Sequence, residues 1–144
     1  MRTLFSNPYF NASFCSWFTA QALKVILTLI KEKKLDFYRF VGSGGMPSSH
    51  SAMVMGLSTD IGLKMGWDSL EYAVSIIFSL IIMYDASGVR RAVGKQAMIL
   101  NQMIKDRQQN KQIEEKQLKE LVGHTPIEVF AGAILGILIA NLLI

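Results

Sequence analysis

The chain has 144 residues, of which 51% are hydrophobic, and carries a formal net charge of +4. That apolar share, with a positive mean hydropathy, is high for a soluble domain of this size and points to the membrane. The length allows one compact unit, so a single integral membrane domain over 1–144 is expected, and no nucleic-acid partner is.

Only Arg2 is basic at the N-terminus, and Asn7, Pro8 and Asn11 precede an apolar run that ends in lysines. This is not the layout of a cleaved secretory signal, so the first helix is expected to be kept. A spanning helix needs roughly twenty mostly apolar residues. The first candidate, about 10–30, reads FNASFCSWFTAQALKVILTLI. Cys15 is there as a lone small side chain, and Lys24 lies near enough to the basic end to snorkel. The second, about 47–66, is interrupted by Ser48, Ser49, His50, Ser51, Ser58, Thr59 and Asp60. Such a helix should be buried among protein neighbours, with Asp60 close enough to the far interface to be hydrated. The third, about 69–89, centres on AVSIIFSLIIMY, and the fourth, about 126–144, reads PIEVFAGAILGILIANLLI. Gly132 and Gly136 form a GxxxG pair in the fourth, which favours close packing within the bundle or in a homodimer.

The loops differ in charge. Segment 31–39 carries four Lys/Arg and 90–121 carries eight, whereas the other side has only Arg2 and Lys64 beside Asp68 and Glu71. By the positive-inside rule both basic loops are cytoplasmic. The stretch 96–122 is polar but keeps Ala97, Leu100, Ile104, Leu118, Leu121 and Val122 at helical spacing, so one or two amphipathic helices at the membrane surface are expected, with a solvated helical connector as the structural alternative. The fold class read from these segments is an all-α integral membrane bundle of about four transmembrane helices with a surface amphipathic connector.

Alternation of the spans brings three polar clusters to one membrane face: GGMPSSH opening the second span, YDASGVRRAVGKQA closing the third, and GHTPIE opening the fourth. The chain's two histidines, His50 and His124, each stand where a loop turns into a membrane helix. Arg90 and Arg91 offer donors suited to phosphate oxygens, Lys95 adds charge, and exposed amides at the helix start near Ser48 and Ser49 favour an anion. Imidazoles beside a phosphate can attack phosphorus or protonate a leaving oxygen. Asp85, about a helical turn before Arg90, can pair with it or orient a histidine. The same residues also suit purely structural roles: Thr125-Pro126-Ile127-Glu128 fits a capping box, and the arginines can anchor the third span at the headgroups. A metal centre from His50, His124, Asp85 and Glu128 has no supporting ligand spacing. No metal or cofactor is expected.

Taken together, GGMPSSHSA, YDASGVRRAVGKQA and GHTPIEVFAGAILG resemble the divergent branch of the type-2 phosphatidic acid phosphatase superfamily, membrane lipid phosphatases related to vanadium haloperoxidases. The resemblance covers roughly residues 10–144. Pro47-Ser48-Ser49-His50 resembles the family's P-S-G-H, with Ser49 in place of glycine. The resemblance implies that His50 is the general acid. His124-x3-Glu128 matches the family's H-x3-D with a longer carboxylate, implying His124 as nucleophile and Glu128 as its orienting partner. The arginine of the family's S-R-x5-H is replaced by Leu118, and Arg39 does not complete K-x6-R-P, since Glu32 stands seven residues before it.

The function expected is hydrolysis of a phosphomonoester or diphosphate on a lipid, without a metal, at a site on the cytoplasmic side of the cell membrane. The alternative is a non-catalytic protein that binds or transports a phosphorylated lipid. A third reading is a small structural oligomer in which the motifs are only caps and anchors.

Overall fold

The structure is a computed structural model that describes residues 6–33, 45–108 and 123–143. Among these residues the order of elements is α1 (Pro8–Glu32), α2 (Ser49–Met65), α3 (Leu70–Ser87), α4 (Val89–Gln108) and α5 (Pro126–Leu142), with no strand.

Each boundary has a local cause. Asn7 caps α1 by accepting from the Tyr9 and Phe10 amides, with Pro8 supplying the first helical position. Ser48 and Ser69 cap α2 and α3 in the same way through the Ser51 and Tyr72 amides. Gly66, with φ of +99°, ends α2 in a conformation that suits glycine, and the chain turns into α3 within four residues, 66–69. Gly88 then breaks the ladder between α3 and α4. Its amide still bonds to the Tyr84 carbonyl, and its own carbonyl accepts from Ala92. Arg90 and Arg91, expected at the close of the third span, therefore stand in the first turn of α4. Thr125 and Glu128 form the capping box at the start of α5.

The packing is that of a membrane protein. The buried apolar residues are mostly alanines, such as Ala12, Ala20, Ala52, Ala86 and Ala140, and buried hydroxyls from Ser13, Ser16, Ser51, Ser58 and Ser79 join them. The large apolar side chains point outward instead: Leu70, Val74, Phe78 and Ile81 on α3, and Phe130, Ile134 and Leu138 on α5. Small residues inside with bulky apolar ones outside is the pattern for a bundle solvated by lipid, where helices associate by close backbone approach. By length and composition Pro8–Ile30 and the run from Leu70 are able to cross a bilayer, and α5 is a shorter apolar helix of 17 residues. The fold is an all-α integral membrane bundle with α2 at its centre, packed against α1, α3 and α5.

One sequence alternative is decided here and one expectation changes. Gly132 and Gly136 serve the first of their two expected uses, close packing within the bundle: a Cβ at Gly132 would strike the Ser48 carbonyl, and one at Gly136 the Ala52 carbonyl and the Gly56 amide. The pair is used inside the chain to seat α5 on α2, which takes this GxxxG face away from a homodimer. Asp60 is not hydrated. It is fully buried, and Lys64, one turn later, reaches its carboxylate with Nζ 2.6 Å from Oδ1. Of the basic loops, 34–44 and 109–122 lie outside the described residues, so the second half of the expected amphipathic connector does too. Its first half is α4.

Candidate functional site

Two main-chain hydrogen bonds join the three polar clusters. The His124 amide donates to the Ala86 carbonyl at 2.9 Å, tying the start of α5 to the last turn of α3. The Ser48 amide donates to the Glu128 carbonyl at 2.9 Å, tying the cap of α2 to the first turn of α5. Between these, Gly123 takes φ of +108° and lies against the backbone of Arg90 and Arg91, where a Cβ would clash. The convergence at one end of the bundle, expected from alternating spans, is thus held by backbone.

The two imidazoles meet there, with ring centroids 6.5 Å apart and planes inclined by 59°. His124 is 3% exposed, while His50 is open to the surroundings. His124 Nδ1 lies 3.1 Å from Glu128 Oε2, and the same oxygen accepts the Thr125 amide at 3.0 Å. An ionised carboxylate can only accept, so Nδ1 is the protonated nitrogen and Nε2 keeps its lone pair. Burial holds the His124 pKa below the ordinary imidazole value of 6.5, against the opposing pull of the Glu128 hydrogen bond. The cap and the orienting contact, alternatives from sequence alone, coexist in one side chain.

The cations separate into two groups. Arg90 Nε donates to Asp85 Oδ2 at 2.7 Å, and its charge is felt at both imidazoles. Asp85 therefore acts first as the arginine's partner. Arg91 and Lys95 are exposed on α4. Ser48 is committed to the fold, since its amide is taken by Glu128 and its hydroxyl accepts from Ser51 Oγ at 3.0 Å. The remaining first-turn amides of α2, those of Ser49 and His50, have no acceptor within the helix, as at any helix start.

Lys24 joins the site without having been marked by the polar clusters. Its side chain does not snorkel: it is 3% exposed, and Nζ donates to Ser49 Oγ at 2.9 Å and to Gln21 Oε1 at 3.0 Å. Its charge bears on His50, His124 and Glu128. One signal in the sequence could have found it. Lys24 is followed seven residues later by Lys31, which is the K-x6 spacing with lysine where the family pattern has arginine. Among the described residues no three His, Cys, Asp or Glu side chains group to hold a metal ion.

The arrangement can hold an anion between a buried, oriented imidazole and an open one, flanked by Lys24 and Arg90. Comparison with known proteins agrees with the sequence patterns. Residues 5–139 match the Divergent PAP2 family. An uncharacterised membrane protein of Bacillus subtilis strain 168, YuiD, is 42% identical over 151 residues, spanning 97% of this chain and 96% of its own length. No solved structure matches. With a family match over nearly its whole length and a relative of this identity, the chain belongs to the divergent PAP2 family of membrane proteins.

Proposed function

We propose that this protein is a membrane lipid phosphatase, acting on a phosphomonoester or diphosphate such as phosphatidate or a polyprenyl diphosphate. The observation that carries the reading is the pairing of His124 Nδ1 with Glu128 at 3.1 Å while His50 stands 6.5 Å away, ring to ring. It leaves one nucleophilic nitrogen and one proton donor with room for a phosphoryl group between them.

In this reaction His124 Nε2 attacks phosphorus, the N–P bond forms, and the ester P–O bond breaks. His50 gives its proton to the departing lipid oxygen. Water then attacks the phosphohistidine, losing a proton to His50, and inorganic phosphate leaves as the N–P bond opens. Lys24, Arg90 and the Ser49 and His50 amides carry the charge that develops on the phosphoryl oxygens. Lys24 supplies a cation that the matched sequence motifs lack. The positive-inside rule places this end, with Arg90, Arg91, Lys95 and Lys105, on the cytoplasmic side.

A binding or transport protein for a phosphorylated lipid is the second reading, favoured by Leu118 in the place of the family's arginine. One experiment separates the two. Phosphate release from a panel of phosphorylated lipids is measured in vesicles with EDTA present, for wild type, His124→Ala and His50→Ala. Release that both substitutions abolish, in folded protein, supports the phosphatase. Binding of the same lipids without release, weakened by Lys24→Met, supports the second reading.

A further inference from the structure

The helix α4 has three faces, and among the described residues one of them packs against protein. At 3.6 residues per turn, Gly94, Ala97 and Asn101 fall on one side and are buried. Val93, Ile99, Leu100 and Met103 occupy a second side with Val89, and all are exposed. Arg91, Lys95 and Lys105 fall with Gln102 and Met98 on a third side, also exposed, roughly opposite the apolar one. The helix as a whole carries five Lys/Arg against a single acid, Asp106. It also begins directly at Gly88, where the membrane-spanning α3 ends.

We propose that α4 lies in the headgroup layer, with its Val93, Ile99, Leu100 and Met103 face sunk into the bilayer and its Arg91, Lys95 and Lys105 ridge holding anionic phospholipid headgroups. Three observations select a lipid surface over water or a second copy of the chain. An exposed strip of five large apolar residues is costly in water. An apolar face opposed by a cationic one is what an interfacial helix needs, the first for the acyl boundary and the second for lipid phosphates. The strip also follows directly on the membrane-spanning α3 at Gly88, so it begins at the level where that span leaves the bilayer. The proposal concerns α4 alone and holds whether or not the histidine site turns over substrate. It gives Arg91 and Lys95 a role away from the imidazoles, as collectors of anionic lipid beside the site.

The test uses the full chain in lipid nanodiscs, in a Cys15→Ser background, with single spin labels introduced by Ile99→Cys, Met103→Cys and Gln102→Cys. Gln102 lies on the cationic side. A label from Ile26→Cys on the exposed face of α1 reports that the bundle is inserted. In phosphatidylcholine with phosphatidylglycerol, labels at 99 and 103 should be reached by oxygen and shielded from a water-soluble nickel chelate, with the reverse at 102. Lys95→Gln with Lys105→Gln should lose the extra shielding that phosphatidylglycerol adds over phosphatidylcholine alone. Chelate access at all three positions would overturn the proposal, as would shielding that is independent of lipid charge. Label-to-label coupling between two chains at 99 or 103 would also overturn it, in favour of a dimer.

Discussion

Glu128 Oε2 holds two donors at once, the His124 imidazole at 3.1 Å and the Thr125 amide at 3.0 Å, so a single carboxylate both starts α5 and orients the buried histidine. The two duties can be separated experimentally. A glutamine serves a capping box nearly as well as a glutamate, but it is a poorer partner for an imidazole that must become positive. Glu128→Gln should leave thermal stability within about 1 kcal/mol of wild type and lower phosphate release by ~100-fold or more. Thr125→Ala should do the opposite, costing about 1 kcal/mol through the lost cap with turnover largely kept. Equal losses of stability and turnover in both variants would show that Glu128 acts only as a cap.

The depressed pKa of His124 fixes the direction of a pH effect. Folding lowers the pKa of this base below 6.5, so between the folded and unfolded values the unfolded chain binds more protons than the native one. Stability therefore rises with pH across that window and is lost as pH falls through it. The proposed mechanism needs His124 neutral and His50 protonated, so phosphate release should fall on the acid side as His124 takes up a proton and on the alkaline side as His50 loses one. Melting curves in detergent between pH 5 and 8 check the first statement, and His124→Gln should flatten the acid limb. A wild-type curve no steeper than the variant's would refute the assignment to His124.

Lys24 offers a sharper contrast. If its buried ammonium serves phosphate, Lys24→Met should lower phosphate release by ~100-fold, while the melting temperature moves little, since an apolar chain of similar length fills the same space. Unchanged release would return Lys24 to a structural role with Gln21 and Ser49.

Close packing of α5 on α2 gives a prediction that does not depend on chemistry. Gly136→Ala puts a methyl against main-chain atoms of Ala52 and Gly56, which no side-chain rotation relieves. The expected cost is about 1–3 kcal/mol, read as a lower melting temperature. Ala133→Gly, also at a buried position of α5, should cost less and serves as the comparison.

Much of this architecture is legible in the sequence because lipid imposes coarse rules. Apolar runs locate the spans, the Thr125 boundary follows from capping chemistry, and strict alternation puts His50, Asp85 and His124 at one end. Lys24 is not legible from hydropathy, because a lone cation near the end of an apolar run is explained equally well by snorkelling outward. Only the partners Gln21 and Ser49, one on its own helix and one on α2, distinguish the two. The GxxxG pair presents a similar limit: it announces close approach but does not name the helix approached, and that helix is α2. Arg91 and Lys95 differ from Arg90 by their angular positions on α4, which cannot be placed until the break at Gly88 is known.

Helix length has a mechanical consequence for the bilayer. With 17 residues each, α2 and α5 measure about 26 Å, short of a hydrocarbon layer of ~30 Å, whereas the 25 residues of α1 reach about 38 Å. Both histidines sit at the N-terminal tips of the short pair, so they start below the level at which α1 emerges. A leaflet meeting this recess must thin around it. The recess lowers the membrane surface toward the two histidines, and on the proposed reading a phosphorylated lipid would reach them with its tails still in the bilayer.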